Sequence, residues 1–417
     1  MYSKVYNGTR QIVVAHENLK KPPSAAQWLF FIFLPKLPMF VLALPFIALM
    51  RLLRPLVWIR LIPVYERIGH GLGNTEMYLL ERRAGLDTSK TIDIFYPDRP
   101  WKCNRQMIKM WQKVIPLYDW VYWIAWADLE IPGYGPHHYI PVHNDRDVRG
   151  LSNDTPPPVS FSRQEEDRGA RLLRDMGIPA GSPTVCFHGR DAAYQEALAP
   201  NNDYSHYDFR DVDINTYIPA IKALVSRGYY CIRMGNVVKK PFLWQNPHVI
   251  DYATSRWRSD FADMYLISRC HFYIGNSCGV DAMAVFFRKP RVVLNMIPIK
   301  LTDVWAPSNL FIFKKLWSIQ EKRFLTFKEI MNSGVGYYLK DILYKQHGLE
   351  AVNNTPEEVV DVIVEKDERM RGSWKTNDEY EELQRRFWAL YTPDRLNQVF
   401  KARVGSKYLL QNQDLLD

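Results

Sequence analysis

The residues best placed to do chemistry lie in 184–191, TVCFHGRD. Its apolar first half predicts a short buried strand, which delivers His188, Arg190 and Asp191 into the loop at its carboxyl end. Open α/β sheets bind ligands in that position. An arginine fork suits phosphate oxygens, and a histidine two residues earlier points the same way on an extended backbone. The pair predicts an anion site, and the alternative is a local ion pair between the strand-end Arg190 and Asp191. Two further strand ends repeat the theme: Arg233 and Gly235 close one, and Asn276, Ser277 and Gly279 close another just before a helix. Amides and small polar side chains there would cradle a diphosphate at the positive end of the helix dipole.

The elements that must position these residues follow a regular order. Strands are expected at 184–187, 229–234, 248–251, 271–274 and 291–295, with helices at 214–227, 260–269 and 279–288 between them. Such alternation implies a parallel sheet covered on both faces. Upstream, a strand at 61–65 runs into Gly69, His70, Gly71, Gly73 and Asn74, followed by a helix from Thr75 that carries Glu76. This predicts a strand, a glycine loop and a helix start, with spacing that departs from the GxGxxG of dinucleotide folds. A boundary is expected at the proline-rich stretch 152–162, where Ser162 and Glu165 form a capping-box pattern.

Length and apolar content allow two cores. The expected organisation is a polar tail (1–27), a hydrophobic segment (28–60), a Rossmann-like domain (61–178), a second one (179–350) and C-terminal helices (351–417). Of 54 basic and 45 acidic side chains, eight and one respectively fall in the first 60 residues, so the remainder is near neutral and no nucleic-acid partner is expected. Residues 28–50 are apolar, with Arg51, Arg54 and Arg60 beyond them. Lys36, Pro35, Pro38 and Pro45 interrupt the run, which predicts pieces too short to span and a monotopic attachment to anionic lipid. The alternative is a buried core hairpin. Five scattered cysteines without CxxC spacing suggest neither a disulfide framework nor zinc, and a cytoplasmic location fits. His137, His138 and His143 lack a carboxylate at ligand spacing, and Asp211-Val-Asp213 precedes a helix, so capping is its expected role and no metal is assigned. The long polar loop 194–213 reads as a lid or binding loop.

The order of a GLGN-type segment, an HxRD strand end, an RMG strand end and GNSCGVDAMAVFFRKPRVV resembles a bacterial family of surface-carbohydrate glycosyltransferases. The resemblance covers roughly residues 60–345. Residues 186–191 are also similar to the HxRRxD element of fucosyltransferases, and 71–74 to their GLGN loop, with one arginine here where that element has two. The resemblance implies a GT-B architecture, two Rossmann-like doubly wound domains facing a cleft. It implies a nucleotide-sugar donor held by His188, Arg190, Arg233, Gly235, Asn276, Ser277 and Gly279, with no cofactor. His70 or Glu76, with Asp191 in reserve, would deprotonate the acceptor, and inversion is expected. A lipid-linked saccharide at the cytoplasmic face of the inner membrane would be the acceptor. A nucleotide-sugar epimerase or hydrolase of the same fold, or a non-catalytic scaffold, are the competing functions.

Overall fold

The structure is a computed structural model that describes residues 34–99, 102–131, 137, 146–198 and 205–417. The predicted tail at 1–27, and His138 and His143, lie outside the described residues. The chain divides into two compact units, Met1–Asn144 and Asp145–Asp417.

In the first unit, helix α1 (Leu37–Leu53) leads through a turn into strand β1 (Trp58–Val64), then helix α2 (Ile68–Arg83), strand β2 (Thr91–Pro97) and helices α3 (Arg105–Gln112) and α4 (Val121–Glu130). Strands β1 and β2 pair in parallel, and among the described residues they form this unit's whole sheet, where a Rossmann-like sheet was expected. The described part of the apolar segment forms one helix, not pieces. Pro38 occupies the first turn, where a missing N–H is harmless, and Pro45 sits on the exposed side. Ala43, Ile47 and Met50, spaced along one face, pack with Ala125 and Trp126 of α4, while Leu42, Leu49 and Leu52 on the other sides are exposed. Residues Leu34–Leu53 are long and apolar enough to cross a membrane, with 17% of that stretch buried. The basic flank is partly consumed by the fold. Arg60 belongs to β1, is buried and pairs with Asp87, and Arg51 pairs with Asp128 at 3.0 Å.

The glycine segment is a correction. Gly69, Gly71 and Gly73 lie inside α2, which starts at Ile68 and not at Thr75. Tertiary packing outweighs the helical cost of glycine here. A side chain at Gly71 would meet the Tyr65 carbonyl at 2.5 Å and Met107 at 2.7 Å, and Trp111 Nε1 donates to the Gly71 carbonyl (3.1 Å).

The second unit opens with helix α5 (Arg163–Asp175), strand β3 (Thr184–Phe187), the short helix α6 (Ala193–Leu198), helix α7 (Ile218–Ser226) and strands β4 (Tyr230–Arg233) and β5 (Val249–Ile250). Helix α8 (Asp260–Arg269), strand β6 (Phe272–Gly275), helix α9 (Gly279–Phe286), and strands β7 (Arg291–Met296) and β8 (Leu310–Phe313) follow. Strands β9 (Lys315–Ser318) and β10 (Arg323–Phe324), helices α10 (Phe327–Asn332) and α11 (Asp341–Gln346), and strand β11 (Leu349–Val352) build a small antiparallel sheet, order β10-β9-β11, and its surroundings. Helices α12 (Pro356–Arg371) and α13 (Asp378–Ala389), strand β12 (Arg403–Val404) and helix α14 (Ser406–Gln411) end the chain.

The main sheet is parallel, in the order β12-β8-β7-β6-β3-β4-β5. Alternation along β3 covers both faces. Val185 and Phe187 join the core that holds Ile221 and Leu224 of α7, whereas the Cys186 thiol donates to the Leu266 carbonyl of α8 (3.6 Å). The chain moves from β3 to β4 and β5 on one side, then returns to place β6 on the other. The crevice between β3 and β6 is therefore the topological switch point.

Two expected boundaries shift. The cut falls after Asn144 and not at 178, because α5 packs on α8: Gly169 approaches the Tyr265 ring so closely that a Cβ would lie 1.9 Å from it. The stretch 152–162 is held to the same unit by Arg288, whose Nε donates to the Ser152 and Thr155 carbonyls (3.0 Å each). Residues 351–417 are no separate module, since β12 joins the main sheet and α12 lies against β7 and β8. The capping boxes at Ser162/Glu165 and Thr355/Glu358 both form.

Candidate functional site

The carboxyl ends of β3 and β6 meet through one side chain. Asn276 Oδ1 accepts from the Arg190 backbone amide (2.8 Å), and its Nδ2 donates to the Arg210 carbonyl (2.9 Å). The site thus joins two strand ends to the loop 205–212. Asn276 was expected to offer its amide to a ligand, but both ends are engaged, so it positions the site instead.

Three cations gather there. Arg190 is buried; its Nη1 pairs with the Asp211 carboxylate and donates to the Tyr207 carbonyl (3.2 Å), and Nη2 donates to Gln195 (2.9 Å). The expected local pair of Arg190 with Asp191 does not form, because the Asp191 oxygens accept from the Ala193 and Lys239 amides and Asp211 takes the guanidinium instead. Arg210 donates through Nη2 to the Ser277 carbonyl (2.6 Å), and among the described residues no carboxylate lies within ion-pair distance of it. Lys314, just past β8, is buried and donates to the carbonyls of Phe209 (2.7 Å) and Asp211 (3.0 Å). Burial holds the Arg210 guanidinium below its ordinary pKa. Burial, then the charge of Arg210, pushes Arg190 down to about 10. Burial, then Arg190, pushes Lys314 down to about 7. Among the described residues these three basic groups have one directly paired carboxylate, and the remaining positive charge is what an anion would relieve.

Helix α9 adds its amino terminus beside this cluster. Its N-cap, Cys278, makes no side-chain capping bond to the first turn, Gly279 is exposed, and Ser277 is half-buried. The first-turn amides are unpaired within the helix and suit an anion. His188 follows β3, its backbone amide donating to the Ile274 carbonyl (2.9 Å) and its Nδ1 bonded to the Met234 carbonyl (2.9 Å). A side chain at Gly235 would meet Val238 at 2.7 Å and Ala253 at 3.1 Å, so the loop after β4 packs too closely there for one.

Several expected residues stand apart. Arg233 is buried away in a pair with Asp251 (3.0 Å) and donates to the Lys240 carbonyl (2.7 Å), so it organises the loop after β4. Asp191 accepts from the Ala193 (3.0 Å) and Lys239 (2.8 Å) amides with its two oxygens, which makes it a loop anchor and not a free base. In the first unit, His70 is exposed in the opening turn of α2, while Glu76 is buried. Gly69, Gly71, Gly73 and Asn74 are helical and not a loop. Asp213 accepts from the Asn215 amide (3.0 Å) as a helix cap, and among the described residues no three His, Cys, Asp or Glu side chains gather as a metal site. His137, also buried, bonds the Ile59 carbonyl through Nδ1 (2.8 Å).

Sequence reasoning did not find Arg210 or Lys314. The available signal was charge: Arg210 sits in the loop flagged as polar, and Lys314 directly follows the apolar strand LFIF.

No protein-family model matches the chain, and no curated protein matches it. Solved structures give low-scoring likenesses. The chain is similar to a family 9 glycosyltransferase from Veillonella parvula at 9% identity, over 61% of this chain and 86% of that one, with a TM-score of 0.37. It is similar to the ADP-heptose LPS heptosyltransferase II of E. coli at 12% identity, over 61% and 90%, with a TM-score of 0.34. It is also similar to the dodecameric iron-containing glycosyltransferase TibC of enterotoxigenic E. coli at 13% identity, over 61% and 62%, with a TM-score of 0.33.

Proposed function

We propose that the second unit binds the diphosphate of a nucleotide-sugar, and that the protein transfers the sugar to a lipid-linked or cell-surface saccharide. The observation that carries this reading is the cation at the switch point: Arg210, with no carboxylate partner among the described residues, beside Lys314, Arg190 and the amino terminus of α9. Glycosyl transfer passes through an oxocarbenium-like state as negative charge develops on the departing diphosphate. Preorganised donors at that charge lower the barrier. Arg210 and the first-turn amides supply them here, with Lys314 behind, so the reading needs no metal for this task. His70, exposed at the head of α2, is the base this reading assigns to the acceptor hydroxyl, and inversion follows from a single displacement. The exposed apolar side of α1 holds the protein peripherally or monotopically at the cytoplasmic face of the inner membrane, where lipid-linked acceptors present their sugars.

The test is a thermal-shift panel of UDP, GDP, CMP and ADP on the full chain in detergent, with and without magnesium. A ligand at about a hundred times its Kd stabilises by about 2.7 kcal/mol. A shift with one nucleotide, present without magnesium, supports the reading. No shift with any of them, from folded protein, replaces it with the non-catalytic scaffold.

A further inference from the structure

The stretch that contains α1 is long enough to cross a bilayer, yet the fold holds the helix from end to end. Lys36 Nζ, just before the helix, lies 5.2 Å from the centre of the Trp126 ring, and the Phe40 ring centre is 6.1 Å from it. Ala43, Ile47 and Met50 are buried in the core that α4 shares with β1 and β2, and Arg51, in the last turn, pairs with Asp128 at 3.0 Å. Standing α1 across a bilayer would strip it from α4, uncover Ala125 and Trp126, and leave the fully buried Asp128 without its arginine. With those contacts kept, α1 offers lipid only its outer side, and a helix that does so lies in the plane of the interface. The outer side continues beyond the helix. The ring of exposed Phe46 lies 6.0 Å from that of Trp120, which in turn lies 6.0 Å from Tyr118. Trp120 is 55% exposed, and Tyr118 and Val114 are exposed on the same loop, 113–120, between α3 and α4.

We propose that α1 and the loop 113–120 form one in-plane lipid-binding surface, with Trp120 and Tyr118 as its interfacial anchors and anionic phospholipid as its partner. Indole and phenol have an apolar body and a polar tip, which settle at the level of the head groups. Charge selects the partner. From Trp28 to Tyr65 the sequence has Lys36, Arg51, Arg54 and Arg60 and no Asp or Glu. Arg54 rests on the Trp58 ring at 4.5 Å, and Asp119, the acid of the loop, pairs with Arg105 at 3.1 Å. An apolar strip with cationic flanks suits anionic head groups, whereas a second copy docked by symmetry would set the same cations against one another. The proposal rests on the membrane attachment read above and adds to it an orientation and a second element.

The experiment uses the full chain with vesicles of phosphatidylcholine, with and without phosphatidylglycerol. Wild type should float with the mixed vesicles and less with phosphatidylcholine alone. Trp120→Ala should weaken binding about tenfold, and Val114→Glu at least as much, with melting temperatures unchanged because both side chains are exposed. Spin labels at Val41→Cys and Leu52→Cys, in a Cys278→Ser background, report depth in the bilayer. These positions share a side of α1 and lie about 16 Å apart along its axis, so an in-plane helix carries both labels to the same depth. Depths that differ by about 16 Å mean a spanning helix and overturn the in-plane surface. Binding that neither Trp120→Ala nor Val114→Glu changes overturns the part given to the loop. In both of those cases the attachment itself stands. Wild type that floats with neither vesicle refutes the attachment and this surface with it, and a dimer that the same two variants break then assigns the patch to a second copy.

Discussion

Arg210→Met separates a ligand-binding arginine from a structural one. Among the described residues the Arg210 side chain has one hydrogen bond, to the Ser277 carbonyl, and burial disfavours its charge. Removing it loses about 1 kcal/mol for that bond and gains a similar amount from the charge no longer held out of water. Stability should therefore change by less than about 1 kcal/mol, or within about 2–4 °C in Tm. Binding should respond quite differently. A charge-assisted hydrogen bond is worth about 1.5–3 kcal/mol, so the Kd for pyrophosphate should rise about 10- to 150-fold. Calorimetry with pyrophosphate and a thermal melt of the same samples measure both quantities. An arginine that served the fold through a buried pair would give the reverse pattern, a loss of about 3–5 kcal/mol with an unchanged Kd. That pattern would refute the assignment of Arg210 to the anion site.

Lys314, pushed down to about 7, is charged in the fold below that pH and neutral above it, whereas the unfolded chain keeps the proton to about 10.5. The folded state binds fewer protons in between, so stability should rise from about pH 7 to 10.5, and Lys314→Met should flatten that slope in a series of chemical denaturation curves. A bound anion favours the charged lysine, so pyrophosphate affinity should fall above about pH 7 with proton uptake, read by calorimetry in buffers of different ionisation enthalpy. Gly169→Ala places a methyl into the Tyr265 ring and should cost about 1–3 kcal/mol in denaturant unfolding, leaving anion affinity unchanged. Replacing exposed Leu42 and Leu49 with glutamate should abolish flotation with anionic vesicles while circular dichroism is preserved; flotation that survives removes α1 as the anchor.

What the sequence determined by itself was local. Alternating apolar runs placed β3, β4, β6 and β7 to within a residue or two, and the bounds of α8 were read as Asp260–Arg269 from pattern and caps. The capping box at Ser162 was equally legible, since both partners lie within one turn. Tertiary structure decided everything that depends on distant residues. The glycines of 69–73 read as a loop, yet Met107 and Trp111 claim them for a helix. The arginines at two strand ends read alike, yet Arg233 is consumed by Asp251 and Arg190 by Asp211, while Arg210, which carries no motif, keeps its charge unpaired by any described carboxylate. The parallel order that sets β6 beside β3 brings Asn276, Arg190, Arg210 and Lys314 together from four places in the chain. Sequence patterns report what each residue's own neighbours will do; a surplus of charge is a property of what is absent around a side chain, and only the folded chain fixes that.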